Sequence, residues 1–239
     1  MRSTMFENVT RALHDLRSGK IILIYDADNR ERETDMVIAS EKVTPEVIRT
    51  MRKDAGGLIC TTVHNDIREL IGIPYLADVF SNISDRYPIF SRLSPNDIPY
   101  DTKSAFSITI NHRNTFTGVT DKDRALTISE FAKFAGRALK TENGWAKEEF
   151  GRLFRAPGHV YLLNARKDLL VSRFGHTELA TAMTVMAGVI PTATICEMMG
   201  DDGNALPKEL AKAYAREHGL VFLEGREIIE AWRSGAWLR

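Results

Sequence analysis

Positions 20–25 read KIILIY and run without a break into DADNRERE at 26–33, after which an apolar run resumes at Met36 and continues to Ala39. No other feature restricts the fold so strongly. A short, β-branched run with no polar alternation predicts a strand buried on both faces. The eight residues after it are too charged to be buried, so the pattern is strand, charged loop, strand. Residues 26–33 then lie at the C-terminal end of a buried strand, where α/β proteins commonly place ligand sites.

The rest of the chain extends that pattern. Phe6, Val9, Leu13 and Leu16 form a helical stripe that Gly19 ends. Thr44-Pro45-Glu46 offers an N-cap with proline at the first helical position and opens a helix to about Asp54. Gly56-Gly57 ends it, and residues 58–63 read as a strand. Residues 75–103, with Pro74, Pro88, Pro95 and Pro99 close by, predict a long loop or lid with little regular structure. AFSITI at 105–110 alternates as a half-buried strand, and TISE at 127–130 predicts a capping box opening a helix to Leu139. A hydrophilic stretch, 141–154, precedes a strand at 159–164, a helix at 177–188 and a strand at 192–196. A helix at 207–218, a strand at 221–223 and a helix at 224–232 follow. Strands and helices interleave, so the expected fold is α/β (α+β), a layered mixed sheet with helices. With no internal repeat, low-complexity tract or composition shift, residues 1–239 are expected to form one domain.

Charge and cysteine usage exclude several classes of function. Lys+Arg and Asp+Glu are both 32, and no basic stripe is present, which argues against a nucleic-acid partner. The weakly polar run 179–190 is interrupted by Thr181 and Thr184, and it is shorter than the ~20 residues of a membrane span. No membrane association is expected. Two cysteines, Cys60 and Cys196, and a polar N-terminus fit a reducing, cytoplasmic setting.

Four clusters carry residues suited to chemistry. In the first, Asp26, Asp28, Glu31, Glu33 and Asp35 can bind a hard cation, and Arg30 and Arg32 can hold a phosphate. A solvated loop laced with surface ion pairs is the plainer alternative. In the second, Arg173-Phe174-Gly175-His176-Thr177-Glu178 precedes and opens a helix whose N–H groups attract phosphate. His176 there is a candidate metal ligand or proton carrier, or else a surface histidine beside a cap. In the third, His159 follows the Pro157-Gly158 turn and suits acid–base work, unless it is a structural loop residue. In the fourth, Glu197 ends a strand as a partly buried carboxylate, either a base or the acceptor of a neighbouring N–H. Cys60 reads first as a small packed residue. The common nucleotide, zinc and serine-hydrolase motifs are absent.

Taken in order, DNRERETD at 28–35, GLICT at 57–61, TGVT at 117–120, RAPGHV at 155–160, GHTE at 175–178 and Cys196-Glu197 resemble the 3,4-dihydroxy-2-butanone-4-phosphate synthase family of riboflavin biosynthesis. The likeness runs from about residue 5 to 230 and looks like the archaeal branch, with no fused GTP cyclohydrolase II expected. Thr34 and Phe174 stand where bacterial members commonly have glycine. The resemblance implies a lyase converting D-ribulose 5-phosphate into L-3,4-dihydroxy-2-butanone 4-phosphate and formate, with Mg2+ or Mn2+, two divalent ions per active site. It implies Glu31 and His176 as metal ligands and His159 and Glu197 as essential for catalysis. Arg30, Glu31, Asp35, Cys60, Arg173, Phe174, Gly175, His176, Thr177 and Glu197 would contact substrate. It further implies a homodimer with active sites at the subunit interface, so that His159 would serve the partner's site.

Overall fold

The computed structural model describes residues 2–141, 144–235 and 237, with side chains from residue 7 onward, so the side chain of Phe6 lies outside the described residues. Helix α1 (Arg2–Arg17) buries Val9, Leu13 and Leu16, as its stripe predicts. Strands β1 (Ile22–Tyr25) and β2 (Thr34–Ala39) follow, and every residue of both is buried. The Thr44 hydroxyl accepts from Val47 N (3.4 Å) to open α2 (Pro45–Thr50), which continues as a π-helical turn at Met51–Ala55. Strand β3 (Cys60–Val63) is next. Helix α3 (Asn65–Ile71), capped by His64, was not anticipated; its apolar stripe is only seven residues long.

The segment 75–103 departs in part from its expected irregularity. It contains α4 (Leu76–Asn82) and α5 (Ile89–Arg92), joined by stacked Phe80 and Phe90 rings 4.4 Å apart. Strand β4 (Phe106–His112) follows. Helix α6 (Asp121–Ala138) starts six residues ahead of the expected capping box. Its true cap is Thr120, which accepts from Asp123 N (3.1 Å), while Thr127 is buried mid-helix with its hydroxyl accepting from His112 N (3.0 Å). The hydrophilic stretch 141–154 holds α7 (Trp145–Leu153), which packs Trp145, Ala146, Phe150 and Leu153 onto the core.

Strand β5 (Phe154–Asn164) begins five residues before His159 and absorbs the expected Pro157-Gly158 turn as a bulge. Pairing with β4 jumps from Ile110↔Val160 to Asn111↔Arg155 across it. The amides freed there are satisfied by side chains: Gly158 N donates to Thr109 Oγ1 (3.0 Å) and His159 N to Asn111 Oδ1 (2.8 Å). A side chain at Gly158 would place its Cβ 2.0 Å from the Ile110 carbonyl carbon, so only glycine allows this approach. Helix α8 (His176–Ala187), β6 (Ala193–Glu197), α9 (Lys208–His218), β7 (Phe222–Glu224) and α10 (Gly225–Ser234) complete the chain, within one or two residues of expectation.

Among the described residues, seven strands share one mixed sheet in the order β4-β5-β3-β6-β2-β1-β7. Pairings β5–β3 and β1–β7 are parallel and the other four antiparallel. Alternate residues of each strand feed opposite faces. Leu23, Met36 and Cys196 pack with Ile48, Phe131, Phe134 and Ala211 on one side. Ile22, Ile24, Val37 and Ile195 pack with Leu16, Leu179, Met183 and Ile228 on the other. The result is a helix–sheet–helix sandwich, which explains why the central strands have no polar face.

Candidate active site

Three strand ends meet beside the start of α8. In the antiparallel pairing of β2 with β6, Asp35 lies opposite Glu197, and in that of β3 with β6, Cys60 lies opposite Ile195. All four are on the α8 face of the sheet, because Val37 and Ile195 share its core. They line a cavity of about 230 Å³ with Glu31, Glu33, Arg173, His176 and Thr177. Residues 26–33 reach this point by folding over Asp26, whose buried carboxylate accepts from Glu31 N (2.8 Å) and Glu33 N (3.1 Å). The charged loop is therefore an organised turn.

His176 is the centre of the cluster. Its Nδ1 is 3.2 Å from Glu31 Oε2 and its Nε2 3.2 Å from the Glu33 carbonyl oxygen, with Asp35 Oδ1 at 3.6 Å. Burial lowers its pKa, but Asp35 and Glu31 outweigh that and push it up to about 10. Glu31 is opposed by burial, yet the hydrogen bond and charge of His176 bring it below the usual carboxylate range. Burial, with Glu197 and Glu31 nearby, drives Asp35 well above it.

Carboxylates outnumber the cations here: His176 and Arg30, whose Nη1 lies 3.7 Å from Asp26 Oδ2 and 3.6 Å from Glu31 Oε1, face Asp26, Glu31, Glu33 and Asp35. Asp26, Glu31 and His176 offer ligand atoms all within 4.8 Å of one another. Asp35 Oδ1 is buried with no hydrogen-bond partner. Carboxylate oxygens plus one imidazole suit a hard divalent cation, which would satisfy that orphaned oxygen and replace the proton on His176. The family resemblance implies Glu31 and His176 as ligands, and the geometry selects Asp26 from the other carboxylates of the first cluster.

Next to this cluster, Arg30 and Arg173 converge on Asp101, a residue of the 75–103 segment. Arg30 also lies 5.7 Å from the Tyr100 ring and, with Phe174, lines an adjoining cleft of about 690 Å³. The Phe174 carbonyl accepts from Arg30 Nη1 at 3.4 Å. Gly175 occupies the N-cap of α8 and supplies no side-chain cap, which leaves the first amides of the helix open to an anion. Glu197 Oε2 accepts from Leu58 N (2.7 Å), so it has the structural bond expected of a strand-end residue and also faces the cavity. The Cys60 thiol is held protonated by burial and by Glu197 and Asp35, which fits a packed residue.

Besides Gly175, which caps α8, His159 is the expected catalytic or substrate-contacting residue that lines neither space. It sits at the β4–β5 bulge with its Nδ1 3.1 Å from Asn111 Nδ2 and 3.3 Å from Asn111 Oδ1. Tyr100, Asp101, Ser104 and Phe106 belong to the cavity, and sequence reasoning did not single them out. Their only signal was the predicted lid, 75–103, in which Tyr100 and Asp101 lie. Asn111 had none, since an isolated asparagine in an alternating strand resembles any other polar position.

Carboxylates and an imidazole for a cation, beside two arginines and a helix N-terminus for an anion, define an α/β enzyme site for a small, negatively charged molecule. The model of the 3,4-dihydroxy-2-butanone 4-phosphate synthase family matches residues 10–231. The chain is 54% identical over 225 residues to the 3,4-dihydroxy-2-butanone 4-phosphate synthase of Methanothermobacter thermautotrophicus, covering 94% of this chain and 95% of that one. It is 47% identical to the one from Methanosarcina mazei, over 95% and 91% of the two chains. A crystal structure of a 3,4-dihydroxy-2-butanone 4-phosphate synthase in complex with two magnesium ions shares the fold, with a TM-score of 0.72 at 22% identity over 95% of this chain and 96% of that one. The chain belongs to the 3,4-dihydroxy-2-butanone 4-phosphate synthase family, enzymes of riboflavin biosynthesis.

Proposed function

We propose that this chain, acting as one domain, converts D-ribulose 5-phosphate into L-3,4-dihydroxy-2-butanone 4-phosphate and formate in the cytoplasm. Family membership and the grouping of Glu31 from the 26–33 turn, Asp35 and Glu197 from strand ends and His176 from the start of α8 around one cavity support this reading. The observation that carries it is the buried Asp35 Oδ1, which accepts no hydrogen bond and lies 3.6 Å from His176 Nε2, a cation site adjoining an arginine-lined anion site.

Glu31 and His176, with Asp26, would hold Mg2+ or Mn2+, and two divalent ions per site are proposed. When bound, the metal supplies Lewis-acid stabilisation of enediolate oxygens. Arg173, Thr177 and the amides from Gly175 onward bind the phosphate, and Arg30 closes the same end. Glu197, or another cavity carboxylate, removes the proton at C3 to give the enediol. His159 assists departure of the C1 hydroxyl as water by donating a proton. A skeletal migration follows, and readdition of one water releases C4 as formate, so the two products together contain the atoms of the substrate. His159 lies away from the cavity lining of its own chain, which supports a homodimer in which it serves the partner's site. The segment carrying Tyr100 and Asp101 excludes water from the intermediates.

The test is formate release from ribulose 5-phosphate with Mg2+ and with EDTA. Metal-dependent formate is the expected result. Turnover without formate points to an isomerase sharing the enediol step, and binding without turnover to a sensor.

A further inference from the structure

Arg173 is held from two sides. Its Nε donates to Asp101 Oδ2 (2.5 Å), and its Nη1 donates to Glu178, a buried residue of α8 whose other oxygen accepts from Arg166 N (3.0 Å). The guanidinium packs against Gly175 at the entry to α8. A Cβ on Gly175 would be 2.5 Å from Nη1 and 2.7 Å from the central carbon, so the missing side chain is what admits it. Nη2 bonds to none of the described residues. Asp101 is itself fixed from its own loop, its Oδ1 accepting from Thr102 N (2.8 Å) and Lys103 N (3.3 Å). Its Oδ2 also takes Arg30 Nη2 (3.3 Å) from the 26–33 turn.

We propose that Asp101 is a positioning residue for the anion site, aligning Arg30 and Arg173 so that Arg173 Nη2 and the first amides of α8 face one point. A carboxylate that merely blocked the site would sit on those donors. Asp101 instead occupies Nε of Arg173 and Nη2 of Arg30, and leaves the helix amides and Arg173 Nη2 open. The same contact ties the 75–103 segment to the start of α8 and the 26–33 turn. This inference rests on the reading of the cavity as a sugar-phosphate site.

The experiment compares wild type with Asp101→Asn, Asp101→Ala and Lys103→Ala. Lys103 bonds to Asp78 (2.5 Å) and steadies the same segment without touching either arginine. Losing a charge-assisted, bridging acceptor is expected to raise KM for ribulose 5-phosphate about tenfold in both Asp101 variants, with kcat within about threefold. Lys103→Ala should leave KM unchanged. Binding of inorganic phosphate, followed by 31P NMR in the presence of Mg2+, should weaken in parallel. A KM that is unchanged or lower in Asp101→Ala overturns the proposal, as does an equal rise in Lys103→Ala. Wild type that binds phosphate but makes no formate would refute the reaction alone, and the phosphate titration would still read Asp101. Equal phosphate binding by wild type and Asp101→Asn refutes the positioning role.

Discussion

Glu197→Gln separates chemistry from structure at one atom. The Glu197 carboxylate faces the cavity and accepts from Leu58 N at 2.7 Å. A glutamine keeps an oxygen for that N–H and has nearly the same volume, so the strand end should keep its shape. The stability lost is the difference between a charged and a neutral acceptor, about 1 kcal/mol. In a chain of this size that lowers Tm by roughly 2–4 °C. An amide cannot take a proton from carbon. If Glu197 is the base, turnover loses the factor that a positioned acid–base group contributes, about 10²- to 10⁴-fold, or ~2.7–5.4 kcal/mol of barrier. The assay is formate release under saturating ribulose 5-phosphate and Mg2+, with a thermal melt on the same sample. Turnover within threefold of wild type would refute the reasoning and move the role of base to another cavity carboxylate. A large loss of turnover together with a collapse in Tm would show that the bond to Leu58, and not the chemistry, was removed.

Three further outcomes are expected. Metal-free protein should lose stability as pH rises from about 6.5 to 10: the pKa of His176 is raised on folding, so its contribution is complete below 6.5 and gone above about 10. Melts in EDTA across that range check this, and a flat or rising Tm would contradict it. Phe131→Ala removes a fully buried ring packed against Phe134, Phe150 and Phe154 at 6.0–6.3 Å, and should cost about 3–5 kcal/mol, a fall of roughly 6–20 °C in Tm. A fall under about 3 °C would mean that the cavity refills. Gly158→Ala forces a Cβ to 2.0 Å from backbone, which cannot step aside, so loss of the β4–β5 bulge and about 1–3 kcal/mol or more is expected in denaturant melts. An unchanged midpoint would show that the two strands can separate.

Much of the framework was written in local pattern. KIILIY followed by DADNRERE specified a buried strand running into a polar site, because period and composition decide burial before any packing is known. The Thr44-Pro45 cap placed the start of α2, and the helical runs placed α8, α9 and α10 within one or two residues. Local pattern failed where two signals overlapped. The charges of TENGWAKEEFGRLF hid the stripe Trp145, Ala146, Phe150 and Leu153, and TISE imitated a cap in the middle of α6.

The chemistry-bearing residue types were legible in the same way: carboxylates and arginines after β1, histidine and threonine at the start of α8, and glutamate at the end of β6. Their company was not. Only the antiparallel pairings of β6 with β2 and β3 bring Asp35, Glu197, Cys60 and Ile195 to one cavity, because register between strands far apart in sequence is set by packing on both faces of the sheet. Only tertiary structure puts Asp101 between two arginines 71 and 72 positions away, and holds His159 on Asn111 at a bulge. Sequence alone determined which groups are available and on which kind of element. The fold decided which of them share charge, burial and a proton, since those depend on distances that no local pattern records.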